Sequence, residues 1–242
     1  MEYRALWRSK KDQLPEECDD AWAANSLLGR FAVADGATGS AYAGSWAKHL
    51  VQHFKEHAEA VEDWLDLLPD LQAGWMSRFE GRELPWYSEH KLQLGAFATF
   101  LGLVFQDVSS QTLRWEAIAV GDSCLFHTRG KELLAVFPVN DAQQFNNSPH
   151  LLGSRSAVSE IRAHRLSKAQ GELKADDRLW LMTDALAQWC LAEHSASRDP
   201  WEPLESLREA EFAEDDFAVW IDELRDNQQI HDDDVTLMAI WR

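Results

Sequence analysis

Acids recur in this chain where apolar runs stop. Phe31-Ala32-Val33-Ala34 runs into Asp35-Gly36, the stretch from Leu113 to Val120 into Gly121-Asp122-Ser123, and Leu179-Trp180-Leu181-Met182 into Thr183-Asp184. Asp19-Asp20 precede one short apolar segment, and Asp232-Asp233-Asp234 precede the last. A carboxylate at the end of a strand stands on a rigid element at the edge of the core, where functional side chains concentrate. Several carboxylates converging on one spot repel each other unless cations lie between them. Carboxylates, a backbone carbonyl and water are the donors that Mg²⁺ and Mn²⁺ take. Two such ions would activate a water and steady the charge on a transferring phosphoryl group. No Ser-His-Asp arrangement, phosphate-cradling glycine loop or cysteine nucleophile loop competes with this reading, so water is the natural nucleophile.

For the acids to meet, the runs that carry them must be strands of shared sheets. Tyr3 to Trp7 reads as a first strand, the polar Ser9 to Glu17 with Pro15 as a loop, and Ala21 to Ala24 as a second strand. Gly29 turns the chain into a third, Arg30 to Asp35, and a hairpin of the two would bring Asp19, Asp20 and Asp35 near each other. Ala43, Trp46, Ala47, Leu50 and Phe54 then recur at helical spacing. His49, His53 and His57 lie four apart on that helix, and the expectation is a solvated helix edge rather than a metal site. Val61 to Leu68 and Leu71 to Phe79 read as more helix interrupted by Pro69, and 84–94 is ambiguous. Gly95 to Phe105 is apolar on both alternating faces, the pattern of a central strand covered on both sides. Leu113 to Val120, Cys124 to Thr128 and Glu132 to Phe137 continue as a meander. Pro138 to Ser154, with Asn146 and Asn147, is a long loop. Val158 to Leu166 alternates weakly, as an edge strand would. Asp177 to Asp184 is a strand, Ala185 to Glu193 a helix, Trp201 to Ala210 and Glu211 to Leu224 two acidic helices, and Val235 to Trp241 the last strand. No repeat or linker divides the chain, so residues 1–242 are expected to form one domain.

The bulk composition narrows the classes. The 242 residues carry a formal charge of −18, a surface that repels nucleic acid and anionic membranes and suits cations or a basic partner. No apolar run nears the roughly 20 residues of a membrane span. Three widely spaced cysteines, Cys18, Cys124 and Cys190, suggest a reducing compartment without a disulfide framework. The expectation is a cytoplasmic monomer. None of the 12 tryptophans is assigned a chemical role.

Taken in order, Asp19-Asp20, Ala34-Asp35-Gly36 with Gly39 following, Gly121-Asp122-Ser123, Thr183-Asp184 opening a helix, and Asp233-Asp234-Val235-Thr236 resemble the signature of the metal-dependent serine/threonine phosphatases of the protein phosphatase 2C type. The resemblance implies an α+β fold, a four-layer α-β-β-α sandwich of two antiparallel sheets flanked by helices. It implies two, or three, Mn²⁺ or Mg²⁺ ions and a phosphorylated protein as substrate. Asp35 would bridge two metals, Asp184 and Asp233 would complete one site, and Asp19 and the Gly36 carbonyl would help hold the other. Asp20 would orient water, and Asp122 with Asp184 would match the ligands of a third ion. The tandem at 232–234 leaves a register shift to Asp232 or Asp234 open.

Four departures stand against the resemblance. The family's phosphate-binding Arg has no counterpart in Gln13 to Cys18; Arg8, Lys10 and Lys11 are the nearest cations and read as surface residues. Ala37 follows Asp35-Gly36 where some members carry a His, Ala185 replaces the usual Gly, and Asp234 stands where Asn is usual. The absent Arg and the altered Ala37 and Ala185 motivate a competing expectation, a catalytically weak pseudophosphatase that binds a phosphoprotein. A weaker one is a metal hydrolase for small phosphorylated metabolites.

Overall fold

The alternation of small and large residues along two neighbouring strands sets the spacing of the layers. The computed structural model describes residues 1–57, 61, 63–82, 86–106, 113–146 and 148–242. Glu62, Leu84, Pro85 and Asn147, which the helix and loop readings included, lie outside them. In chain order the elements are β1 (Glu2–Arg8), β2 (Ala21–Asn25), β3 (Arg30–Ala34), α1 (Ala43–Glu56), α2 (Leu68–Ser77), α3 (Trp86–Leu94), β4 (Phe97–Ala98), β5 (Phe100–Gln106), β6 (Leu113–Val120), β7 (Cys124–Arg129), β8 (Glu132–Phe137), β9 (Leu152–Gly153), α4 (Val158–His164), β10 (Ser167–Leu173), β11 (Asp177–Met182), α5 (Asp184–Ser195), α6 (Trp201–Glu209), α7 (Ala213–Asp226) and β12 (Val235–Trp241).

Two five-stranded antiparallel sheets carry the fold, in the orders β1-β12-β11-β7-β8 and β10-β6-β5-β3-β2. Their facing sides pack Phe31, Val33, Leu101 and Leu103 against Leu125, Leu179, Leu181, Met238 and Ile240. The outer side of the second sheet offers Ala32, Ala34 and Ala23, and α1 lies against it through Trp46, Ala47, Leu50 and Phe54. Gly102 lets Phe54 approach; a Cβ there would lie 2.6 Å from its ring. On the far side, Trp180, Met182, Leu237 and Ala239 meet Leu186, Cys190, Leu204, Phe217 and Ile221 of α5 to α7. The layers run helix, sheet, sheet, helix, as the α-β-β-α expectation had it.

Three local readings need correction. Val158 to Leu166 is not an edge strand but mostly the short helix α4, whose Ile161 is fully buried. The edge strand is β10, which pairs with β6. Its residues Ser-Lys-Ala-Gln-Gly-Glu-Leu are too polar to carry an apolar period. Pro69 starts a helix rather than interrupting one: Asp63–Leu67 is a 3-10 turn, and Pro69 sits in the first turn of α2, where its missing N–H costs nothing. Gly95 to Phe105 divides at Thr99 into β4, paired with β9, and β5, which does occupy the centre of its sheet.

Candidate metal centre

The register of the strands gathers the acids at one end of the sandwich. Ala21 pairs with Ala34, so Asp20 and Asp35 lie just beyond the paired ends of the β2–β3 hairpin. The pairing runs on through Gly36 N–H, which donates to the Asp19 carbonyl at 3.2 Å. On the other flank of β3, Thr99 N–H donates to the Asp35 carbonyl at 2.8 Å, and the Asp35 N–H donates to Thr99 Oγ1 at 3.2 Å. Thr99 Oγ1 also meets Ser123 Oγ at 2.7 Å, which ties the Asp35 turn to the Gly121-Asp122-Ser123 turn that crosses between the sheets. In the first sheet, Met182 pairs with Leu237, and Thr183 N–H donates to the Thr236 carbonyl at 3.1 Å. Asp184 and the 232–234 turn are thereby neighbours. Thr183 Oγ1 donates to Asp20 Oδ2 at 2.9 Å and accepts from Thr236 N–H at 2.8 Å, which joins the two sheets at the site.

The three acids at 232–234 have different surroundings. Asp232 is exposed and accepts from Lys11 N–H. Asp234 is buried and accepts from Lys10 N–H and Asp19 N–H, each at 2.9 Å. Asp233 faces the other carboxylates, pairs with Lys10 Nζ at 2.9 Å, and its carbonyl accepts from the buried Arg225 at 2.6 Å. Asp19 Oδ1 accepts from Gly44 N–H at 2.9 Å, in the first turn of α1, where a carboxylate suits the helix dipole.

Burial and neighbouring carboxylates raise the pKa values of Asp20, Asp35, Asp122 and Asp184 above the ordinary carboxylate range. Asp35 is raised well above 3.8, by burial first and then by Asp20, Asp184, Asp233 and Asp122. Burial and then Asp234 raise Asp20 well above 3.8 too. Asp184 is pushed up to about 6 by burial and Asp233, and Asp122 to about 7 by burial and Asp184. Asp19 is raised by burial, against the opposing Gly44 N–H.

Among the described residues, no three His, Cys, Asp or Glu side chains are drawn together tightly enough to hold one ion. The donor set nevertheless fits a hard divalent cation. It is all oxygen, and one oxygen each of Asp20 and Asp122 is buried without a hydrogen-bond partner. Gly36 is hemmed in by backbone: a Cβ would lie 2.7 Å from the Asp19 carbonyl oxygen and 2.8 Å from the Ala43 carbonyl carbon. The hydrogen bonds that flank it use Asp35 O and Ala37 N–H, not its own carbonyl.

Every acid singled out in the sequence thus comes to this end of the molecule. The histidines of α1 are engaged elsewhere. His49 bonds the Leu71 carbonyl at 3.1 Å, and His53 stacks on His57 and accepts from Trp64. No role was expected of Thr99, Ser123 or Thr183: Ser123 and Thr183 each adjoin an acid in the sequence, whereas Thr99 meets Asp35 only through the fold, and Lys10 was expected at the surface.

A family model for protein phosphatase 2C matches residues 11–234, and the chain belongs to that family. The serine/threonine phosphatase PstP/Ppp of Mycobacterium tuberculosis has a similar structure, with a TM-score of 0.60 and 19% identity over 100% of this chain and 98% of that one. The PstP catalytic domain in complex with two manganese ions has a TM-score of 0.58 and 18% identity, over 98% and 96%. Stp1 of Staphylococcus aureus has a TM-score of 0.63 and 15% identity, over 98% and 93%. At these identities the likeness is one of fold. No curated protein matches the chain by sequence.

Proposed function

We propose that residues 1–242 form one catalytic domain, a metal-dependent protein serine/threonine phosphatase. It hydrolyses phosphomonoesters with water at a centre of two Mn²⁺ or Mg²⁺ ions, with donors for a third. The observation that carries this reading is the convergence of Asp19, Asp20, Asp35, Asp122, Asp184 and Asp233 at one end of the sandwich. Burial and the neighbouring carboxylates raise Asp20, Asp35, Asp122 and Asp184. Asp35 would be shared between the two ions. Asp184 and Asp233 would serve one, Asp19 and the Gly36 carbonyl the other, and Asp122 with Asp184 the third. The PstP catalytic domain, of the same fold, was solved with two manganese ions.

When bound, the ions supply a water of lowered pKa and positive charge against the phosphoryl oxygens. The chain's own groups do the rest. Thr183 occupies one oxygen of Asp20, and the other makes no bond; with Asp20 ionised in the loaded site, that oxygen would accept a hydrogen bond from the attacking water and orient its lone pair toward phosphorus. The bond from phosphorus to the ester oxygen breaks as the new one forms. Ala37 has no proton to give, so the departing alkoxide takes one from water at the mouth of the site, where Thr38 is exposed.

The substrate is read as a phosphorylated protein, and nucleic acid and membranes as excluded by the charge of −18. Cys18, Cys124 and Cys190 are buried free thiols, which supports a reducing, cytoplasmic compartment; a monomer is the reading for the assembly. No helix among the described residues is long and apolar enough to cross a membrane.

The test is hydrolysis of p-nitrophenyl phosphate and a phosphothreonine peptide with Mn²⁺, in wild type and Asp35→Asn. Wild-type turnover that is abolished by a chelator and falls at least a hundredfold in the variant is expected. Turnover that survives both treatments, or none in wild type, refutes the reading.

A further inference from the structure

The acidic end of the sandwich carries a cation that metal ligation does not require. Lys10 follows β1, and its side chain is pinned but open to solvent, at 16% exposure. Its Nζ pairs with Asp233 Oδ1 at 2.9 Å and donates to Thr38 Oγ1 at 3.0 Å. The neighbouring cations go elsewhere: Arg8 pairs with Asp222 and Lys11 with Asp226, both on α7. Asp234 fixes Lys10 from behind. Its Oδ1 accepts from Lys10 N–H and its Oδ2 from Asp19 N–H, so one side chain clamps the Lys10 segment onto the segment that carries Asp19 and Asp20. An amide in its place would offer one acceptor oxygen instead of two.

We propose that Lys10 binds the phosphoryl oxygens of the substrate and that Asp234 is the clamp that positions it. This rests on the phosphatase reading. A phosphomonoester reaching this end of the molecule meets a field of carboxylates, and a fixed ammonium offsets it where the phosphoryl group must sit. An ammonium has three N–H donors. Asp233 and Thr38 take two, and the third is left for an oxyanion. Lysine meets phosphate as a point charge rather than as a planar fork, so the contact depends on where the backbone is held, which is the task of Asp234. The two departures of this chain, no arginine in Gln13 to Cys18 and an acid at 234, are then one device.

The test compares wild type with Lys10→Met, Asp234→Asn and the control Lys11→Met. It reads line broadening of inorganic phosphate in ³¹P spectra with Mn²⁺-loaded protein, Mn²⁺ affinity by calorimetry, and kinetics on p-nitrophenyl phosphate. Lys10→Met is expected to weaken phosphate binding and raise KM by tenfold or more, the range of a lost charge-assisted hydrogen bond. Its kcat should fall less, and Mn²⁺ should bind no more weakly, since a competing cation is gone. Asp234→Asn should move phosphate binding the same way by a smaller factor, and Lys11→Met should match wild type. Phosphate binding that is equal in Lys10→Met and wild type, or absent from both, overturns the proposal, as does a loss in Lys10→Met matched by weaker Mn²⁺ binding. A wild type that binds phosphate through Lys10 yet hydrolyses nothing would sink the phosphatase reading and leave the binding role standing.

Discussion

Replacing Asp122 by Asn should make the metal-free protein more stable, and increasingly so as pH rises. In the folded chain Asp122 is 6% exposed and keeps its proton to about pH 7, against 3.8 for the free side chain. Between those values the native state binds more protons than the unfolded state, so stability declines as pH rises and the decline is complete above the folded pKa. About three pH units at roughly 1.4 kcal/mol each give a penalty on the order of 4 kcal/mol at pH 8. Something over half of it, roughly 2–3 kcal/mol, accrues between pH 5 and pH 8. Asn keeps the shape and never ionises. Urea unfolding of both proteins in chelator, at pH 5 and pH 8, reads mainly this group, because titrations that Asp122 does not influence cancel in the difference and Asp35, which Asp122 raises, adds a smaller part of the same sign. The stabilisation by Asp122→Asn should grow by about 2 kcal/mol between the two pH values. A gain that is the same at both, or a variant less stable than wild type at pH 8, would refute the assignment of a buried, charge-crowded carboxyl at this turn.

Two further outcomes follow from the same geometry. Mn²⁺ affinity measured by calorimetry should rise with pH between about 5 and 8 and release protons, because Asp184 at about 6 and Asp122 at about 7 must ionise to serve as ligands; a flat profile would contradict the ligand set. Gly36→Ala should destabilise the fold by roughly 1–3 kcal/mol and weaken Mn²⁺ binding, since the new methyl meets backbone at 2.7 and 2.8 Å that cannot swing aside. Thermal unfolding with and without Mn²⁺ checks both effects.

Much of this site is visible before folding because its signals are local. The apolar runs of β3, β6 and β11 have the period and length of strands, and each ends on an acid, so Asp35, Asp122 and Asp184 stand out without any tertiary information. Their order along the chain suffices to suggest the family. Polar elements lack that signal: β10 is held in place by pairing with β6 and by the Trp115 ring lying where a Cβ of Gly171 would be.

The amino-acid sequence alone determines the strand-end acids, the helical face of α1 and the overall charge, because side-chain type and spacing are all that these properties need. Other assignments depend on partners distant in the chain. Arg8, Lys10 and Lys11 are nearly equivalent in sequence, yet their ion pairs lead to Asp222, Asp233 and Asp226, more than 200 residues away. Asp232, Asp233 and Asp234 are identical side chains in a row. The turn before β12 exposes the first, turns the second toward Asp35 and Asp184, and buries the third behind Lys10 and Asp19. A side chain's role there is decided by the direction in which the backbone aims it and by what lies opposite, and only the packed sheets supply both.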